Sequence, residues 1–193
     1  MGLPWDFRPI EGSRVTLDLP RPDDFDALYA IQSDPEVCRY LLYEPRSPER
    51  VHEVLDRDAA ATRLAGPDDY MQPAIRDESG RMIGTMYFKL ASLDDKTAEI
   101  GWLLDPRFQG HGYAAEASAV LLDLAFGELG LHRVYAELDP RNAASVALCL
   151  RLGMRREAHF REHLWFKGDW ADTGIYAILE HEWRGLSGGT PRE

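Results

Sequence analysis

The chain holds 193 residues, 22 of them basic and 33 acidic, for a formal net charge of −11. That balance excludes an ordinary nucleic-acid binder, since phosphates ask for a basic face, and favours a cationic partner. At 45% hydrophobic and 28% charged the length suits one domain with a real core, and two cysteines, Cys38 and Cys149, make no disulfide framework. Residues 1–12 carry Trp5 and Phe7, which either pack or stay loose, ahead of a strand in which Val15, Leu17 and Leu19 alternate with polar side chains. Pro22-Asp23-Asp24 opens a helix with an apolar stripe of Phe25, Leu28, Tyr29 and Ile31. Asp34-Pro35 starts a short second helix to about residue 41, and Ser47-Pro48 a third to about residue 64. Strands over 70–76 and 82–90 form a hairpin at Asp77-Glu78-Ser79-Gly80. Next come a strand over 97–104, a helix from Gly112 with Leu121, Leu124, Ala125 and Leu129 at helical spacing, and a strand over 133–138. Asn142 caps a helix through Arg151 that ends at Gly153, and strands over 155–166 and 170–182 join at Gly168-Asp169. The tail from Gly185 has a disordered composition. There is no repeat and no linker; the order is that of an α/β sheet with a right-handed parallel crossover in its middle.

The connector Asp105-Pro106-Arg107-Phe108-Gln109-Gly110-His111-Gly112 stands where the chemistry is expected. Two glycines leave N–H groups unshielded at a helix start, where partial positive charge and free donors suit a diphosphate. Each charge-assisted bond there contributes roughly 1.5–3 kcal/mol. Gly110-His111-Gly112-Tyr113-Ala114-Ala115 satisfies the dinucleotide pattern G-x-G-x-x-A, with Glu137 or Asp139 as its later acid. Against it, five residues separate strand from first glycine, and too little chain follows for a second nucleotide-binding half. Gln109-Gly110-His111-Gly112-Tyr113-Ala114 also fits Q/R-x-x-G-x-G/A.

That second pattern is the signature of the GNAT superfamily of N-acetyltransferases. Ser33-Asp34-Pro35-Glu36-Val37, Glu99-Ile100-Gly101-Trp102-Leu103-Leu104-Asp105-Pro106, Asp139-Pro140-Arg141-Asn142-Ala143-Ala144-Ser145 and Leu152-Gly153-Met154 also resemble that superfamily, specifically its ribosomal-protein alanine N-acetyltransferase branch. They stand in the family's order over about residues 14–183. The resemblance implies a GNAT fold: a mixed, mostly antiparallel central sheet with a splayed parallel strand pair and flanking helices, as a single domain over 1–193 with its core at about 14–184. It implies acetyl-coenzyme A (acetyl-CoA) as co-substrate and acetyl transfer to a primary amine by direct attack in a ternary complex. The main chain of Trp102, Leu103 and Leu104 would pair with the pantetheine arm, and Gln109, Gly110, His111, Gly112, Tyr113 and Ala114 would grip the pyrophosphate. Asn142, a sound helix cap in any case, would contact the same cofactor.

Aminolysis of a thioester needs an unprotonated amine, and the leaving thiolate benefits from a proton. A lysine-like amine is neutral in only about one molecule in a thousand near pH 7, so a positioned base contributes around 10²–10⁴-fold. Glu99, a carboxylate in an otherwise apolar strand, is the candidate base, and relatives place a catalytic glutamate on this strand. The competing reading is a structural glutamate paired with a lysine or capped by backbone. Ser145 resembles the serine that protonates the thiolate in the alanine branch; the tyrosine many relatives use falls on Cys149. That branch's second glutamate falls near Leu164, with Glu162 two residues earlier on the same face. The acceptor, a protein N-terminus or a small cationic molecule, therefore stays open. Tyr40, Tyr43, Glu44, Trp165 and Trp170 line its pocket or only pack. His159 and His163 stand four apart with no third ligand, so no metal is expected. Two rival functions remain, a catalytically silent coenzyme A sensor or scaffold and a dinucleotide-binding module. Relatives suggest a homodimer through the terminal hairpin, and without a long apolar run or signal pattern the expected compartment is the cytoplasm, away from membranes.

Overall fold

A computed structural model describes residues 2–187. The period-2 stretches form one nine-stranded mixed sheet. Its path runs Arg155–Phe166 (β10), Asp169–Leu179 (β11), Arg133–Leu138 (β9), Thr97–Leu104 (β8), Met82–Ser92 (β7), Ala74–Arg76 (β6), Thr16–Asp18 (β3) and Ile10–Glu11 (β2), with Tyr70–Met71 (β5) also on β7. Ala98, Ile100 and Leu104 of β8 are buried in the main core with Phe88, Val134 and Ile178, so Glu99, Gly101 and Leu103 face the other side. The main core is completed by Tyr113–Asp123 (α4), through Ala117 and Leu121, and by Ala143–Arg151 (α5), through Cys149. Phe25–Gln32 (α1) and Pro48–Ala60 (α3) form a second cluster, in which Leu28, Val51, Val54 and Leu55 cover Ala74 and Met82. Between them lies the short helix Pro35–Cys38 (α2), capped by Asp34.

Several boundaries move for physical reasons. The strand expected over 70–76 is broken into β5 and β6 at Pro73, which has no N–H to give a ladder. The third helix stops at Ala60 because Arg63–Leu64 (β4) pairs with Trp5–Asp6 (β1), and that pairing also fastens the N-terminal segment, with Trp5 buried. The second helix ends at Cys38 rather than near residue 41. Helix α4 relaxes into a wider π turn over Leu124–Glu128, which keeps Leu124, Ala125 and Phe126 buried. The last strand ends at Leu179, and Glu180–Ser187 is a helix (α6), where Gly185 was expected to begin a disordered tail; the rest of that tail lies outside the described residues. Asp24, expected only as an acid at a helix start, is buried and grips Arg76 through two bonds of 2.8 and 2.7 Å. No helix among the described residues is long and apolar enough to cross a membrane.

Every strand pairing is antiparallel except β8 with β9. That pair is brief: it runs from Thr97–Arg133 to Glu99–Tyr135 and stops. Meanwhile β8 stays registered with β7 from Thr97 to Leu104, and β9 with β11 from Arg133 to Leu138. The sheet thus divides into two halves that part beyond Glu99.

Candidate active site

On one side of the gap, β8 runs into the short 3-10 turn Pro106–Phe108 and then the two glycines. Gly110 and Gly112 adopt φ of +77° and +85°, a left-handed geometry that an L side chain resists, and Gly112 is the N-cap of α4 without any side-chain cap. Among the described residues, the N–H groups of 110–115 meet no acceptor. A run of free amides at a helix start is a fit for a diphosphate. The Gln109 side chain turns back and donates to the Leu104 carbonyl (3.1 Å), so it tethers the loop to the strand end. Arg14, which the sequence did not single out, straps the loop from outside. Its Nη1 donates to the His111 carbonyl (3.1 Å), its Nε to Glu116 (2.9 Å), and its guanidinium lies 5.0 Å over the Tyr113 ring.

A cavity of about 270 Å³ passes through the gap. Glu99, Gly101, Leu103, Thr85 and Tyr87 line it from one sheet face, and Trp102, Asn142 and Ser145 from the other. Glu99 is half-buried and has no hydrogen-bond or ion partner among the described residues. Lys89 stands directly opposite it in register, but the ammonium is held by Asp68 at 2.9 Å, so the lysine-paired reading fails. Burial raises the Glu99 pKa above the ordinary carboxylate range, the nearby Glu137 charge adds to that, and Lys89 partly opposes it.

Across the gap, Asn142 caps α5 by accepting from the Ser145 N–H (3.1 Å). The Trp102 indole N–H donates to Ser145 Oγ (3.2 Å), which leaves the hydroxyl's own proton free to be given away. Cys149 is fully buried and its thiol is pushed up to about 12 by burial, so it is no substitute for a tyrosine donor.

The residues expected around an acceptor depart further from expectation. Tyr40 and Tyr43 do line the cavity, and burial pushes the Tyr43 phenol up to about 12. Glu44 is exposed and lines neither this cavity nor its neighbour; Trp165 and Trp170 meet edge-on at 5.3 Å, exposed on the hairpin away from both. A bulge between Phe160 and Leu164 undoes the expected face of Glu162, which sits exposed at φ +49° with its N–H on Asp172 (2.9 Å). The same bulge separates His159, bound to Asp172 (2.7 Å), from His163, bound to Thr173 (2.9 Å). Glu137 also lines the cavity, and the sequence offered it only as the later acid of the dinucleotide pattern.

Comparison with known proteins agrees with this geometry. The acetyltransferase (GNAT) domain model matches residues 14–155. The uncharacterized N-acetyltransferase YnaD of Bacillus subtilis (strain 168) is 34% identical over 160 residues, covering 83% of this chain and 90% of that protein. A GNAT-family acetyltransferase from Bacillus anthracis has a TM-score of 0.80 at 26% identity, covering 90% of this chain and 99% of that one. A spermidine N-acetyltransferase from Vibrio cholerae, in complex with CoA and spermine, has a TM-score of 0.75 at 22% identity, covering 89% and 98%, a likeness of fold. The dinucleotide-binding reading is thereby displaced. A parallel strand pair parted beyond Glu99, with an uncapped glycine-led helix beside it, belongs with a family match over most of the chain: this protein is a member of the GNAT family of acetyl-CoA-dependent N-acetyltransferases.

Proposed function

We propose that the chain works as one domain that passes the acetyl group of acetyl-CoA to a primary amine by direct attack within a ternary complex. The observation that carries this reading is the cavity through the split sheet, which brings Glu99 and Ser145 to one space from opposite faces. Acetyl-CoA supplies the thioester. The amides of Gly110, His111, Gly112, Tyr113 and Ala114 hold its diphosphate, with Gln109 and Arg14 fixing the loop. The unpaired edge of β8 at Trp102, Leu103 and Leu104 offers main-chain partners to the pantetheine arm, and Asn142 closes the far side. Glu99, its pKa raised, takes a proton from the incoming ammonium directly or through one water, and the freed nitrogen attacks the acetyl carbon. Ser145 gives its hydroxyl proton to the departing thiolate, so that CoA leaves as the thiol. The serine is reprotonated, through solvent, by the second proton that the attacking nitrogen sheds on becoming the amide. Exposed Phe160, Trp165 and Trp170 on the outer hairpin suit a surface where two copies meet.

A thiol-release assay with acetyl-CoA against peptide N-termini, polyamines and aminoglycosides tests the reading. Polyamines belong in the panel because the Vibrio cholerae neighbour holds spermine. Heat of association with acetyl-CoA and thiol release with at least one amine class are expected. Absence of both overturns it.

A further inference from the structure

The reaction cavity is not closed on the acceptor side. A second cavity of about 250 Å³ lies between the segment after α2 and the β10–β11 hairpin. The two share Tyr40, Leu41, Glu137, Leu138 and Asp139 as walls, so they form a run of two adjoining cavities with these residues between them. Charges along it are unevenly engaged. Asp139 is held by Arg141 (2.7 Å), Asp172 by His159 (2.7 Å), and Asp169 accepts from the Trp170 N–H (2.8 Å). The cations are occupied too: Arg39 with Glu36 (3.6 Å), Arg141 with Asp139, and Lys167 on the Cys38 carbonyl (2.6 Å). Two carboxylates of these cavities, Glu99 and Glu137, have no such partner among the described residues. They stand on adjacent strands and the same sheet face, since Glu99 is registered with Tyr135 and Glu137 follows two residues later. Unpaired negative charge in a partly enclosed cleft concentrates cations.

We propose that Glu137, at the junction of the two cavities, binds a second ammonium group of the acceptor, so that this enzyme selects small linear amines carrying at least two positive charges. This rests on the acetyl-transfer reading above. The chemistry asks for two charges because the nitrogen beside Glu99 must lose its proton before it attacks, whereas the nitrogen beside Glu137 keeps its proton and stays bound. Glu137 thus orients the acceptor and takes no part in bond making.

The test is calorimetry of the CoA-loaded protein with putrescine, spermidine and n-butylamine, for the wild type and Glu137→Gln. The two polycations should bind the wild type about tenfold or more tightly than butylamine, the size of one charge-assisted bond, and Glu137→Gln should erase that difference. Binding of acetyl-CoA should not change. The melting temperature should hold at acid pH and rise slightly near pH 8, because removing the Glu137 charge eases the ionisation of half-buried Glu99. In turnover, KM for the polycation should rise while kcat holds. The acid limb of kcat/KM should move to lower pH, because Glu99 then faces Lys89 and Tyr87 from β7, Tyr135 from β9 and Tyr43 across the cavity without the Glu137 charge. Equal affinity of the wild type for polycations and butylamine overturns the inference, as does a Glu137→Gln protein that binds polycations like the wild type. If acetyl-CoA gives no heat, the acetyl-transfer reading fails instead, and the same titrations on the free protein still decide Glu137.

Discussion

Two regions meet at the gap between β8 and β9, and they are built from different material. The side proposed to hold the diphosphate is main chain: its amides lie within 110–115, and their aim depends on two left-handed glycines. The proposed acceptor side is made of side chains drawn from 39 to 173, and no short stretch contains it. Donors set by conformation tolerate changes of side chain but not of backbone. A pocket set by side chains tolerates small backbone shifts but changes its ligand with each substitution. One fold can therefore keep a cofactor and exchange acceptors.

Substitutions sharpen that contrast, and the largest effect should fall where both sides meet. Glu99→Gln should lower kcat by about 100-fold or more while acetyl-CoA affinity stays within a factor of about two. Unchanged thiol release would remove Glu99 from the mechanism. On the main-chain side, Gly112→Ala forces a side chain into φ +85° and should cost about 1–2 kcal/mol, visible as a lower melting temperature and weaker acetyl-CoA binding. A Gly112→Ala protein that binds acetyl-CoA normally would break the proposed division. Ser145→Ala should slow turnover by roughly tenfold at most, since water can also protonate a thiolate, without changing acceptor KM. Arg14→Ala should raise the acetyl-CoA KM by about threefold through a looser loop, about the worth of one partly exposed interaction.

A smaller signal comes from stability against pH. Glu99 holds its proton to a higher pH in the folded protein than in the unfolded chain. Across that window the folded state binds more protons, so stability falls as pH rises and the cost is complete above the raised value. Glu99→Gln removes the cost: it should melt higher than the wild type near pH 8, and the gain should shrink as pH falls through the raised value. A gain that grows on acidification would show that Glu99 is stabilised as an anion.

How much was readable in advance follows the same division. The loop of 109–114 and the strand of 97–104 announced themselves because their features are local: glycines at fixed spacing, an apolar run, a carboxylate out of place within it. The caps at Asp34, Ser47 and Asn142 were legible for the same reason, each bonding within its own turn. What went unread is non-local. Arg14 reaches a carbonyl 97 residues away, and nothing in its neighbourhood signals it. Glu137 looks like one acid among 33 until β9 is laid beside β8. Glu162 seemed well placed because alternation assumes an unbroken strand, and a bulge shifts the register by its extra residues.

Amino-acid order by itself determined that a glycine-led helix would follow a buried strand carrying one acid, because hydrophobic period, capping and left-handed turns are properties of adjacent residues. Only the folded chain decided that two strands part where they do, that Lys89 serves Asp68 instead of Glu99, and that Glu137 has no partner among the described residues. Pairing and burial are settled among residues distant in sequence, where each group takes the nearest partner in space.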